Sequence, residues 1–166
     1  MRAVESRYSA EHHMASVNLI FDDKQTAYLR ELSEKMNLDF GEFIPHATLI
    51  NVTEQDIPRL KLAAAALPSL DKLVLDGVNF LPDEAGNCVC VELRVQKTSW
   101  MVEVRRKLLE ILDDIHPGLD IDGFRPHITL GIVEAGTLGD VDMSAIPRQL
   151  PVITKPRAAA CYNGMH

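Results

Sequence analysis

The spacing of hydrophobic residues along the chain predicts an α+β fold. Segments in which apolar or β-branched residues alternate with polar ones predict strands, and segments with apolar residues three or four positions apart predict helices. The predicted order is β, α, β, α, β, β, α, β, followed mostly by β structure. This order is typical of an α+β fold whose strands pair mainly antiparallel.

The predicted helices have recognisable starts. Asp22 or Asp23 is expected to cap the first helix. Asp56 is expected to cap the second helix, because Pro58 then falls in the first turn, where proline is tolerated. The predicted helices span about 23–36, 57–67 and 99–115.

The other regular segments are predicted to be strands, and Gly77 is expected to bend one of them. The predicted strands span about 16–22, 43–52, 70–81, 88–95, 124–134, 151–154 and 158–162. A glycine-rich loop is expected at 136–139 and a single helical turn at 144–150.

One short motif occurs twice, each time in a predicted strand. The copies are Phe43-Ile-Pro-His46-Ala-Thr48-Leu and Phe124-Arg125-Pro-His127-Ile-Thr129-Leu. Aligned on the histidines, both follow the pattern Phe-x-Pro-His-x-Thr-Leu. At ordinary residue frequencies, a second Pro-His-x-Thr-Leu has a chance on the order of 10⁻³ in a chain of this size, so the repeat is not expected by accident.

The spacing within each copy places its polar residues together. Side chains two positions apart on a strand lie on the same face. His46 and Thr48 therefore share one face of the first motif strand, and Arg125, His127 and Thr129 share one face of the second. Each motif strand thus presents an imidazole beside a hydroxyl on one side and an apolar surface on the other.

Two imidazoles with hydroxyl partners suit acid–base chemistry at phosphorus. Because the ordinary pKa of histidine is about 6.5, one ring can be neutral and the other protonated near neutral pH. The neutral ring would take a proton from the attacking water or hydroxyl, and the charged ring would give one to the leaving oxygen. Thr48 and Thr129 would donate hydrogen bonds to the phosphate oxygens, and Arg125 would add a cationic donor. No metal or other cofactor is required.

Composition and charge limit the kinds of partner. The chain has 166 residues, 46% of them hydrophobic, and a formal net charge of −7. These values predict one globular domain and argue against electrostatic binding to long nucleic acid. Residues 1–15 are predicted to be a polar tail rather than a signal peptide, and the domain is expected over 16–166. No apolar run is long enough to span a bilayer.

The cysteine count is odd, which argues against a disulfide framework in a cytosolic protein. Cys88 and Cys90 lie in a predicted strand and are expected to be small buried residues, as a metal site would need a further cysteine pair.

Several other residues have structural interpretations. Trp100 is expected to pack in the core, and His116 is interpreted as a favourable charge at a helix C-terminus. Phe80, Phe124 and Tyr162 are candidates to stack on a nucleobase, although core packing is the commoner fate of such residues.

The paired motifs resemble those of the two-histidine (2H) phosphoesterase superfamily, which includes 2′-5′ RNA ligase-like proteins and 2′,3′-cyclic phosphodiesterases. Its hallmark is two His-x-Thr/Ser motifs, each followed by a hydrophobic residue and each in one half of the chain. The resemblance implies a two-lobed, pseudo-symmetric fold, with antiparallel sheets and outer helices around a central cleft. It also implies that His46 and His127 are general acid and base and that Thr48 and Thr129 bind phosphate. Arg125 has no counterpart in the first copy, where Ile44 stands.

The leading hypothesis is a metal-independent phosphodiesterase that acts on a 2′,3′-cyclic phosphate, a cyclic nucleotide or an RNA end. The alternatives are a module that binds a nucleotide or 2′-5′-linked RNA with little turnover, and an RNA ligase that runs the same chemistry in reverse. The expected partner is a small nucleotide or RNA-end substrate, and we expect a cytoplasmic monomer. The sequence alone leaves open the exact substrate and which histidine acts as the base.

Overall fold

The structure is a computed structural model of the chain, and it describes residues 15–39, 41, 44–53, 56–115 and 123–162. Phe43, His116 and the predicted polar tail lie outside these ranges, except for the last residue of the tail. This residue, Ala15, begins the first strand.

The described strands and helices follow the predicted order, which confirms the α+β fold. The strands are β1 (Ala15–Ile20), β2 (His46–Val52), β3 (Lys72–Pro82), β4 (Cys88–Val95), β5 (His127–Glu134), β6 (Val152–Thr154) and β7 (Arg157–Tyr162). The helices are α1 (Asp23–Lys35), α2 (Ile57–Ala65) and α3 (Ser99–Ile111). Short 3-10 helices at Ala135–Asp140 and Met143–Ala145 replace the predicted loop and the predicted helical turn.

The helix ends follow from local hydrogen bonds. Asp22 and Asp56 cap α1 and α2 by accepting backbone N–H bonds from the first turn. The prediction that α3 extends to residue 115 is wrong. Arg59 of α2 donates through Nε to the Ile111 carbonyl at 3.1 Å, and its guanidinium also pairs with Asp114. Arg59 thus supplies a donor to one of the last carbonyls of α3, which have no partner within the helix. No helix in the described ranges is long and apolar enough to cross a membrane.

The described strands form one antiparallel sheet of two matching halves. The strand order is β6-β3-β4-β5-β2-β1-β7. Helix α1 connects β1 to its neighbour β2, and α3 connects β4 to its neighbour β5 in the same way. The halves meet where β2 pairs with β5, so the two motif strands are adjacent at the centre of the sheet.

The two faces of the sheet differ in polarity, as the motif spacing predicts. We define the front face as the side that carries His46 and Thr48, and the back face as the other side. On the back face Ala47, Leu49 and Ile128 are fully buried, as are their neighbours in the apolar core beneath the helices. The histidines and threonines are only partly buried on the front face.

A β-bulge interrupts each motif strand at the same place. In the first half Val17 pairs with Ile50, but the next residue of β1, Asn18, pairs with Thr48, so Leu49 is the extra residue. In the second half Val91 pairs with Gly131 and Glu92 with Thr129, which makes Leu130 the extra residue. These extra residues are the leucines that follow each His-x-Thr, so the motif encodes a bulge as well as a polar face.

The carbonyl of each bulge leucine accepts a hydrogen bond from a helix of the opposite half. Ser33 Oγ of α1 donates to the Leu130 carbonyl at 2.7 Å, and Arg105 Nη1 of α3 donates to the Leu49 carbonyl at 2.6 Å. The Arg105 guanidinium also lies 5.1 Å from the ring centre of Phe124 in the second motif. The two helices therefore hold the two motif strands together.

We expect Ser33→Ala to destabilise the protein by about 1–3 kcal/mol, because it leaves the buried Leu130 carbonyl without a partner. The measurement is the free energy of unfolding from urea denaturation. Ser69→Ala is the matched control, since Ser69 is exposed in a loop, and its cost should stay within about 0.5 kcal/mol. Equal stability of the two variants would show that the bulge carbonyl does not need this donor.

Candidate active site

The pairing of β2 with β5 brings the four motif side chains together. The register matches Ala47 with Ile128. One residue further in each direction, antiparallel pairing places His46 opposite Thr129 and Thr48 opposite His127. Since residues directly opposite each other point to the same face, both imidazoles and both hydroxyls lie on the front face. The structure thus juxtaposes four of the predicted site residues around one point between the two halves.

Both imidazoles are held in the same way. His46 Nδ1 lies 2.7 Å from the Ile44 carbonyl, and His127 Nδ1 lies 2.9 Å from the Arg125 carbonyl. A carbonyl only accepts hydrogen bonds, so Nδ1 carries the proton in each neutral ring. The Nε2 atoms are then the ones that can take up or release a proton.

The two rings are near enough to influence each other. Burial lowers the pKa of His46 below its ordinary value of 6.5, the hydrogen bond to the Ile44 carbonyl opposes this, and the charge of His127 lowers the pKa further. His46 is therefore biased towards the neutral form, which is the form a general base needs. The His127 side chain is 33% exposed, so the site is in contact with solvent.

A buried carboxylate adjoins the second histidine. Glu92 pairs with Thr129 in the β4–β5 ladder and is only 1% exposed. Its Oε2 lies 3.5 Å from His127 Nε2, and its Oε1 accepts hydrogen bonds from Arg125 Nη1 and from Asn79 Nδ2. Sequence reasoning missed Glu92. The available signal was an acidic residue flanked by Val91 and Leu93 in a predicted strand.

Arg125 is a predicted site residue whose charged group already has a partner in the structure. It lies beside His127, as the spacing predicts, but its guanidinium is paired with Glu92. The side chain is 48% exposed and has five N–H donors, so the pairing does not use up its capacity. Its role in binding phosphate stays a prediction.

Asn18 is a second residue that sequence reasoning missed. It pairs with Thr48 in the β1–β2 ladder and therefore lies on the front face. It is fully buried, and neither its Oδ1 nor its Nδ2 has a hydrogen-bond partner among the described residues. Buried amides are almost always satisfied, so the two unpaired polar atoms make Asn18 unusual among the buried residues.

The candidate aromatic residues do not line the site. Phe124 is buried in the core, and Phe80 and Tyr162 pair with back-face residues of their neighbouring strands. Trp100 packs against the core, as expected. The prediction that Cys88 and Cys90 are buried is wrong, because both lie partly exposed on the front face of β4.

Two further features of the described residues lie outside this site. A cavity of about 520 Å³ is lined by Leu67, Trp100 and Lys155, among others, and includes neither motif histidine. No group of three or more histidine, cysteine or acidic side chains in the described ranges is arranged to hold a metal ion.

Comparison with known proteins finds similarity only among solved structures. No family model matches, and no curated protein is similar in sequence. Usb1 of Kluyveromyces marxianus with uridine monophosphate has a TM-score of 0.46 and 12% identity, over 80% of this chain and 77% of that one. A second structure of the same Usb1 has a TM-score of 0.47 and 13% identity over 81% and 77%.

A crystal structure of a phosphoesterase has a TM-score of 0.47 and 14% identity, over 90% of this chain and 84% of that one. At these identities the similarity concerns the fold.

We expect His46 to titrate below its ordinary pKa in NMR spectra of the imidazole protons. His127→Gln should raise the pKa of His46, because it removes a neighbouring charge, but not to 6.5, because burial is the larger cause. The unfolded chain binds more protons than the folded one between the folded and unfolded pKa values of His46. Stability should therefore fall as the pH falls from about 6.5 through this window. A pKa of His46 that lies above 6.5 would contradict the described geometry.

Proposed function

We propose that this chain is a two-histidine phosphoesterase, a metal-independent phosphodiesterase that acts on a 2′,3′-cyclic phosphate, a cyclic nucleotide or an RNA end. The observation that carries the proposal is the register of the central strand pair. It sets two imidazoles and two hydroxyls on one solvent-accessible face, with each imidazole fixed through Nδ1.

The arrangement supplies the groups that phosphodiester hydrolysis needs. One Nε2 takes a proton from the attacking water, and the other Nε2–H gives a proton to the leaving oxygen as the P–O bond breaks. The Thr48 and Thr129 hydroxyls donate to the non-bridging oxygens, on which charge builds in the transition state. Because the imidazoles carry both proton transfers, the reaction needs no metal ion.

The pair of imidazoles favours turnover over simple binding. A binding module needs hydrogen-bond donors for the anion but no pair of proton-transfer groups. Here both imidazoles keep the Nδ1 anchor that directs Nε2 to the reacting atoms. Ligation of RNA ends is the same chemistry in reverse and uses the same residues.

We expect His46→Ala and His127→Ala each to lower kcat by about 10²–10⁴, because each variant loses one proton-transfer group. The assay is a screen of cyclic and linear phosphodiesters with chelator present, in which the wild-type pH–rate profile should be bell-shaped. Circular dichroism checks that the variants fold, and His12→Ala, outside both motifs, is the control for loss of a histidine.

Full activity in either motif variant would overturn the proposal, as would a strict requirement for added divalent metal. Calorimetry with AMP and with cyclic phosphates, run beside product analysis, tests the binding alternative. Tight binding without product would assign the chain to that class.

A further inference from the structure

Asn18 and Glu92 occupy equivalent positions in the two halves. Each follows the bulge-paired valine of its strand, and each pairs with the threonine of a motif, Asn18 with Thr48 and Glu92 with Thr129. Both are buried, at 0% and 1% exposure. The two halves of the site are therefore alike in backbone but differ in charge, with a neutral amide in one half and a carboxylate in the other.

The two histidines therefore differ in the charge of their neighbours. Glu92 Oε2 lies 3.5 Å from His127 Nε2, whereas Asn18 brings no charge to its half of the site. Since Nδ1 already carries a proton in both rings, Nε2 carries one only when the ring is the imidazolium. A carboxylate facing Nε2 thus complements the protonated form of His127. At 3.5 Å the contact is not an aligned hydrogen bond, so a proton on Nε2 stays available to another acceptor.

Two arginines also lie near this pair. The Arg125 guanidinium binds Oε1, the other oxygen of Glu92, and so balances part of the carboxylate charge. Arg94, which pairs with His127 across the ladder, is engaged with Asp76 through a 2.6 Å bond from Nε. Glu92 is the acidic group that the described structure sets against Nε2.

We propose that Glu92 is a positioning residue that commits His127 to the role of general acid. The presence of a carboxylate in one half and an amide in the other then sets the direction of proton transfer. This inference rests on the proposed function and assigns the polarity of the same site. The neutral bias of His46, which burial causes, is consistent with it.

The proposed step transfers one proton to His46 and one proton from His127. A water oxygen forms a bond to phosphorus, and its proton goes to His46 Nε2. The bond from phosphorus to the leaving oxygen breaks with its electron pair, and that oxygen takes the proton from His127 Nε2. The product is the ring-opened or cleaved phosphate ester, and exchange with solvent restores the two rings.

The test compares two leaving atoms. The probe is the phosphodiester with the highest turnover in the substrate screen, together with its analogue in which the bridging oxygen that leaves is sulfur. For a 2′,3′-cyclic phosphate this analogue is the cyclic phosphorothiolate. A thiolate leaves without protonation, so the analogue bypasses the general acid but still needs the general base.

We expect Glu92→Gln to lower the rate on the oxygen substrate about 10²-fold, in line with the usual contribution of a general acid, and the rate on the sulfur analogue less than about threefold. His127→Ala should show the same split. His46→Ala should lose both reactions. The control is Asn18→Ala, at the equivalent position of the other half, which should alter both rates by the same factor.

The readout is the ratio of the two rates within one variant, which does not depend on the fraction of folded protein. Glu92→Asp, which withdraws the carboxylate by one methylene, should shift this ratio in the same direction. Equal losses on both substrates in Glu92→Gln, or sulfur rescue of His46→Ala instead of His127→Ala, would overturn the assignment and leave the proposed function standing. Full activity of either histidine variant on the oxygen substrate would overturn the proposed function itself.

Discussion

The site depends on one strand pair, in which Ala47 of β2 lies opposite Ile128 of β5. A slip of one residue in this register would turn every side chain of one motif strand to the other face of the sheet. The imidazole and hydroxyl of that strand would then enter the apolar core, and its alanine or isoleucine would face solvent. The fully buried back-face residues oppose such a slip, so core packing and site geometry are specified together.

The bulges add a second constraint to the same strands. They place two successive residues of each motif strand in the core, Leu49 with Ile50 and Leu130 with Gly131. At Gly131 an added Cβ would lie 3.0 Å from Leu38 Cβ, so the absence of a side chain lets the segment after α1 pack closely. Each bulge carbonyl is satisfied from the opposite half, and for this reason neither motif strand is held by its own half alone.

The sequence predicted the elements and the four motif residues because both are local patterns. Alternation identified the faces of β2 and β5, and side-chain caps such as Asp22 marked helix starts. Contacts between segments that are far apart in the sequence could not be predicted from such local patterns. Arg59 of α2 contacts the last turn of α3 from 52 residues away, and Arg125 pairs with Glu92, which is 33 residues away. Asn18 and Glu92 carry no motif, and only the pairing of β1 and β4 with the motif strands shows that they flank the site.

The duplicated strands make the two halves of the site alike, whereas the proposed reaction needs the two histidines to differ. Repetition of strand, bulge and His-x-Thr supplies two equivalent imidazoles, but the proposed displacement at phosphorus needs one ring neutral and the other charged at the same moment. An identical environment for both would favour equal protonation and leave the pair without direction. In the described structure the two halves differ in the two side chains that pair with the threonines, Asn18 and Glu92. The backbone stays matched while the charge does not. In the proposed mechanism the motif therefore positions the reacting groups, and the unmatched residues beside it distinguish them.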